Sequence, residues 1–118
     1  MGIDFDTSGP IYEQVIDHIK QKLIKKELNP GDKLPSQREL ASELNLNPNT
    51  IQRCYREMQI RGLAETKRGK GTFINESEDM VVEMKENMIM SAIEKFVEEM
   101  KGLGLEKSEI IKRIDEKL

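Results

Sequence analysis

Two helix-spaced apolar runs separated by a very short break constrain this fold more than any other feature. Their apolar positions are Leu40, Leu44, Leu46, Ile51, Cys54 and Met58. Asn45 and the pair Asn47-Pro48 interrupt the pattern, so one helix has to end and another has to begin within three residues. Asn tolerates the positive φ that such a turn needs. Asn47 can accept a hydrogen bond from a free N–H of the next helix, and Pro48 suits a first helical position. Two helices joined this tightly form a helix-turn-helix.

The third helix, predicted from Pro48 to about Arg61, has two different faces. One face repeats apolar residues at helical spacing and should be buried. The opposite face carries Asn49, Thr50, Gln52, Arg53 and Arg56. Such side chains can bond to base edges or phosphates, and a helix fits the DNA major groove. A solvated polar face is the alternative; the capped start and the scarcity of Glu/Lys pairs favour DNA.

Two strand-like runs follow the third helix. They are Ala64–Lys67 and Gly71–Ile74, and they surround the basic tip Arg68-Gly69-Lys70. A basic hairpin tip with flexible glycines can press cations and backbone against phosphates or a minor groove. An ordinary charged hairpin would fit these residues alone, but their position directly after a polar helix predicts a wing. Lys33-Leu34 could pair with it as a third strand.

Several short motifs make residues 8 to 75 resemble the GntR-type bacterial transcription regulators. They are Pro10-Ile11-Tyr12, Gly31-Asp32-Lys33-Leu34-Pro35-Ser36, Arg38-Glu39-Leu40-Ala41, Asn49-Thr50 and Arg68-Gly69-Lys70-Gly71-Thr72-Phe73. The resemblance implies a winged-helix domain that works as a dimer on an inverted-repeat operator. The Asn47-Pro48-Asn49-Thr50 variant and the short C-terminal part are similar to the YtrA-like subgroup, which implies repression of a neighbouring transporter operon. Many members have Arg where Pro48 stands, so the operator should differ.

The predicted DNA contacts lie on the second helix, the third helix and the wing. Phosphate binding is assigned to Arg38, Lys67, Arg68 and Lys70. Base choice is assigned to Asn49, Thr50, Gln52 and Arg53. The set also includes Ser36, Gln37, Asn47, Arg56 and Gly69. By the resemblance, Arg38 should contact the DNA backbone or a base, and Gly69 should approach the minor groove.

The distribution of charge agrees with binding to DNA, although the net charge of the 118 residues is −3. Residues 47–74 hold 6 Lys and Arg against 2 Asp and Glu, whereas residues 76–118 hold 7 against 12. Positive charge therefore concentrates in the predicted recognition helix and wing, and the tail is acidic.

The tail is predicted to be a helical hairpin, about Asp79–Lys101 and Glu106–Leu118, broken at Gly102-Leu103-Gly104. Its apolar stripe is too wide for a lone solvated hairpin, so we expect a second copy to cover it in a homodimer. The predicted interface residues are Val81, Met84, Met88, Ala92, Ile93, Phe96, Val97, Met100, Ile110, Ile111 and Ile114. The expected architecture is mainly α (α+β): a winged helix-turn-helix over 1–76 and a dimerisation hairpin over 77–118.

Two alternatives to a simple regulator stay open. The Met-rich hairpin could make the protein a docking scaffold, or a small ligand could bind between subunits, because the tail is too short for an effector pocket within one chain. No cofactor, metal site or enzyme activity is expected, since the chain lacks a nucleophile, base and orienter set. The single Cys54 should be a core residue rather than a redox sensor, and the single His18 a surface or boundary residue. The composition predicts a cytoplasmic protein without membrane spans.

Overall fold

The computed structural model of the protein describes residues 3–118. Within them, five helices and one two-stranded antiparallel sheet follow in chain order. The elements are α1 (Ile11–Ile24), α2 (Gln37–Leu44), α3 (Pro48–Ile60), β1 (Ala64–Lys67), β2 (Gly71–Ile74), α4 (Glu78–Gly102) and α5 (Lys107–Lys117). The predicted fold class, a mainly α winged helix-turn-helix followed by two helices, is confirmed.

The chain divides into two compact units. The first ends at Glu83 and the second runs from Met84 to Leu118, so the division lies inside α4. The functional division that we propose from the sequence, 1–76 and 77–118, lies at the linker before this helix.

The core of the first unit forms where α3 packs against α1, α2 and β1. Burying a large aliphatic side chain contributes roughly 1.5 to 3 kcal/mol, so these contacts supply the main favourable free energy of folding. The fully buried side chains include Val15, Ile16, Ile19, Leu40, Ile51, Cys54, Tyr55, Met58 and Ile74. The apolar spacing in the sequence had marked Ile51, Cys54 and Met58, whereas Tyr55, expected to be buried only in part, is also fully buried.

The junction between α2 and α3 has the predicted geometry. Asn45 ends α2 in the left-handed region at φ 55°, and its N–H bonds to the carbonyl of Ala41. The side-chain oxygen of Asn47 accepts a hydrogen bond of 2.8 Å from the N–H of Asn49. Pro48 occupies the first turn of α3. Ala41 is buried, as a close crossing of two helices requires.

The wing pairs β1 with β2 from Ala64 opposite Ile74 to Lys67 opposite Gly71. Lys33 forms an isolated antiparallel bridge to Phe73, so this segment pairs with the wing as expected but does not form a third strand. The N–H of Leu34 bonds to the carbonyl of Thr72 at 2.8 Å. The segment before α2 is therefore held to the wing.

The second unit leaves much apolar surface uncovered. Among its described residues Met84 and Ile110 are buried, whereas Ile89, Ile93 and Ile111 are more than two-fifths exposed. Of the residues predicted for the dimer interface, those half-buried or exposed in the single copy are Val81, Met88, Ala92, Ile93, Phe96, Val97, Met100, Ile111 and Ile114.

Candidate nucleic-acid interface

One side of α3 meets α2 in an open depression of about 640 Å³. A second depression of about 380 Å³ adjoins the C-terminal half of α3. Asn49, Gln52 and Arg56 lie along one ridge of α3, and Gln37 and Arg38 of α2 lie beside them. The first depression is lined by Gln37, Arg38, Ala41, Ser42, Asn45, Leu46, Pro48, Asn49 and Gln52. The second is lined by Gln37, Gln52, Arg56, Gln59 and Ile60. The structure thus brings together five predicted DNA contacts from two helices.

Two other predicted DNA contacts begin helices. Ser36 forms a capping box with Glu39: its hydroxyl accepts from the Glu39 N–H at 3.1 Å, and its own N–H donates to the Glu39 carboxylate at 3.4 Å. Asn47 caps α3 through its side-chain oxygen, which accepts one hydrogen bond from the N–H of Asn49. A cap contributes about 1 kcal/mol. These side chains therefore place α2 and α3, and their contact with DNA remains a prediction.

Four of the six predicted DNA-binding cations are exposed and unpaired. Within residues 3–118 their side chains make no ion pair or hydrogen bond with protein. They are Arg38, Arg56, Arg68 and Lys70. Exposed cations without a carboxylate partner can contact a phosphate without first breaking an ion pair. Thr50 is half-buried, and Gly69 stands at the wing tip with φ 77°, a conformation that favours glycine.

The other two cations already have protein partners. The Lys67 ammonium lies 3.1 Å from the Glu76 carboxylate and 4.8 Å from the centre of the Phe73 ring. The Arg53 guanidinium carbon lies 4.1 Å from the centre of the Tyr12 ring, and Arg53 donates a hydrogen bond of 3.3 Å to the Tyr12 hydroxyl. The sequence pattern could not separate these two from the unpaired four.

An ion pair of Arg61, the residue that caps the C-terminus of α3, links this helix to α1. Arg61 donates to both carboxylate oxygens of Glu13, and Glu57 approaches the same guanidinium at 3.4 Å. The hydrogen bond from Arg61 lowers the pKa of Glu13 below its ordinary value, against a smaller opposing effect of desolvation. Because the pair is one-third exposed on each side, its effect on stability is modest. The pair links α1 to the C-terminal end of α3.

Sequence reasoning missed Gln59. Its amide oxygen accepts a hydrogen bond of 3.0 Å from the Thr66 hydroxyl, which joins the end of α3 to strand β1. Gln59 also lines the smaller depression. Its spacing of three residues from Arg56 and seven from Gln52 was the signal that could have identified it, because residues at that spacing share a helix face.

The single Cys and the single His play no visible part in this surface. Cys54 is fully buried, and burial raises the pKa of its thiol to about 12. This burial confirms the prediction that Cys54 is a core residue. His18 is half-buried, and its Nε2 is shielded from solvent and has no hydrogen-bond partner among residues 3–118. Among residues 3–118, no three His, Cys, Asp or Glu residues are grouped in a way that could hold a metal ion.

Membrane insertion by a helix is not indicated: across the described part of the chain, every helix is too short or too polar to span a bilayer.

A capped helix-turn-helix, a basic hairpin wing and an exposed polar ridge beside unpaired cations define a winged-helix DNA-binding protein. Residues 11–74 match the family described as "Bacterial regulatory proteins, gntR family". The chain belongs to this GntR family.

Several known proteins are similar to this chain over almost its whole length. The HTH-type transcriptional regulator YhcF of Bacillus subtilis is 50% identical over 97% of this chain and 94% of its own. The HTH-type transcriptional repressor YtrA of the same organism is 42% identical over 88% of this chain and 81% of its own. A GntR family transcriptional regulator from Listeria monocytogenes has a similar structure, with a TM-score of 0.85 and 36% identity over 95% of this chain and 98% of that one. The YtrA-like resemblance is confirmed, and the chain is a transcriptional regulator, not an enzyme.

Proposed function

We propose that the protein is a homodimer that binds an inverted-repeat operator with α3 in the major groove and the β1–β2 wing on the minor groove or backbone. The observation that carries this proposal is the surface formed by Arg38, Asn49, Gln52 and Arg56. None of these side chains has a protein partner within residues 3–118, and together they offer paired donors and acceptors for bases and charge for phosphates.

Dimerisation is supported by the uncovered apolar residues of α4 and α5. Ile89, Ile93 and Phe96 follow one another at helical spacing and are each at least 37% exposed in the single copy. A second copy of the same hairpin would cover them by two-fold symmetry. Such a dimer would set two copies of α3 about one DNA turn, roughly 34 Å, apart.

Repression is supported by the similarity to YtrA of Bacillus subtilis, which is named a transcriptional repressor. By the same subgroup resemblance, we propose that the regulated operon lies next to the gene for this protein and encodes a transporter. An effector, where one acts, would bind between the two subunits, because the tail over 77–118 leaves little room for a pocket of roughly 300 Å³ within one chain.

Selection from a random pool of double-stranded DNA tests the proposal. The selected sequences should contain an inverted repeat, and rebinding them across a salt series should weaken affinity with a log-log slope of about −0.9 for each phosphate contact. A variant that combines Arg38→Ala with Arg56→Ala is the matched comparison and should select no common sequence. Failure of the unaltered protein to enrich any sequence would contradict a DNA regulator and favour the docking-scaffold alternative.

A further inference from the structure

Arg53 differs from the other cations of the first unit that have protein partners. Arg61 is held by the carboxylate of Glu13, and Lys67 is held by the carboxylate of Glu76. Arg53 is held by Tyr12, through the face of its ring and through its hydroxyl. Because this partner carries no opposite charge, Arg53 is ordered without being neutralised.

Arg53 also lies apart from the surface proposed to read bases. Asn49, Gln52 and Arg56 line the two depressions beside α2, whereas Arg53 lines neither. Arg53 instead starts a row with Glu57 and Arg61 at four-residue spacing, which is one side of a helix. This row faces α1, as the contacts to Tyr12 and Glu13 demonstrate.

A stacked guanidinium is well suited to a phosphate. Of its five N–H donors, the contact with Tyr12 uses one, and the planar fork can still present two parallel donors to one phosphate group. Stacking on the ring restricts the rotamers of a long side chain before DNA arrives, so less conformational entropy is lost on binding. To reach a base with the Asn49 ridge, Arg53 would have to leave the ring.

We propose that Arg53 binds the DNA backbone rather than a base and that Tyr12 is the positioning residue that holds it there. This inference rests on the proposed function and reassigns Arg53 from base choice to phosphate binding. Tyr12 thereby makes the first helix part of the DNA-binding surface, although it sits 41 residues before the side chain it orients.

The test measures binding to the selected operator and to an unrelated duplex across a salt series, with Arg53→Gln, Tyr12→Leu, Tyr12→Phe and the double variant Tyr12→Leu/Arg53→Gln. Arg53→Gln should weaken both DNAs by a similar factor, roughly tenfold, and make the salt slope shallower by about 0.9 per protomer. Tyr12→Phe keeps the ring and should retain most of the affinity. Tyr12→Leu should weaken binding, yet add nothing in the Arg53→Gln background, because the two residues act through one contact.

Arg61→Gln is the matched control, because Arg61 lies two turns further along the same row and also bonds to α1. It should leave the salt slope unchanged. A selective loss of operator binding in Arg53→Gln with an unaltered slope would make Arg53 a base reader and overturn the inference. An equal further loss from Tyr12→Leu in the Arg53→Gln background would overturn the positioning role. If the unaltered protein binds neither DNA, the proposed function itself fails.

Discussion

The side chains of α3 lie in three different environments. Ile51, Cys54 and Met58 are completely buried. Gln52 and Arg56 line the open depressions, and Arg53 stacks on Tyr12. At the scale of single residues, a helix of 13 residues therefore combines a core face, an exposed polar face and a face held by α1.

Gln52→Ala should change which operator the protein prefers. A Gln side chain can form two hydrogen bonds with adenine, and loss of such a pair costs roughly 1 to 3 kcal/mol of discrimination at one base pair. Competition binding against operators mutated at each position measures the change. Gln21→Ala, an exposed Gln on α1, is the matched control and should leave the preference unaltered. A preference unchanged by Gln52→Ala would remove this side chain from the reading surface.

His18 should make stability depend on pH near neutrality. Desolvation, followed by the charge of Lys22, lowers its pKa below the ordinary value of 6.5 in the folded state. The unfolded chain therefore takes up a proton first as the pH falls, so the stability present above pH 6.5 is progressively lost until the folded-state pKa is passed.

Urea unfolding at about pH 7.5 and about pH 5.5 measures this effect. From the higher to the lower pH, the free energy of unfolding should fall more for the unaltered protein than for His18→Gln. Because the chain has one His, the difference between the two proteins reports on this side chain. A wild-type free energy of unfolding that falls no more than that of the variant would contradict the assignment.

At the scale of elements, the turn between α2 and α3 depends on the left-handed conformation of Asn45. Asn45→Ala should lower the free energy of unfolding by about 1 kcal/mol, because a Cβ-bearing residue without a polar side chain is strained at positive φ. Asn45→Gly is the matched variant and should stay within about 0.5 kcal/mol of the original, since Gly adopts this conformation without strain. Thermal or urea unfolding distinguishes the two. An Ala variant as stable as the Gly variant would mean that the turn relaxes.

The wing is an element whose contribution should be electrostatic. Arg68→Ala with Lys70→Ala should weaken binding to every DNA sequence by a similar factor and make the salt slope shallower by up to about 1.8 per protomer. Lys112→Ala with Lys117→Ala, two exposed cations of α5, provides the control for net charge. A slope unaltered by the wing variant would exclude the wing from phosphate binding.

At the scale of the whole molecule, the α4–α5 hairpin should determine the oligomeric state. Phe96→Asp places a charge within the exposed apolar residues and should split the dimer, because a buried unpaired carboxylate opposes association. Light scattering measures the mass, and operator affinity should fall with it. Ser91→Asp adds the same charge at an exposed polar position of α4. A Phe96→Asp protein that stays dimeric would contradict the interface assignment.

The bounds of the wing strands and of α3 were predictable from the sequence to within a residue or two. Both wing strands have the predicted bounds, and α3 begins at Pro48 and ends one residue earlier than expected, at Ile60. Gly62, at φ 73°, accounts for the end of α3, because few other residues adopt that conformation. The cap that Asn47 forms on α3 and the turn at Asn45 were equally predictable, since each depends on atoms only a few residues apart.

The sequence by itself determined the helix starts, the turn, the wing and the burial of the α3 apolar face, because each follows from local backbone chemistry and periodic hydrophobicity. The tertiary structure alone decided which polar side chains acquire partners far away in the sequence. Arg53 meets Tyr12 across 41 residues and Arg61 meets Glu13 across 48. No local pattern encodes such pairings, since they depend on the rotation and angle at which α1 packs against α3. That packing separates Arg53, held on the Tyr12 ring, from Arg56, which lines an open depression beside α2.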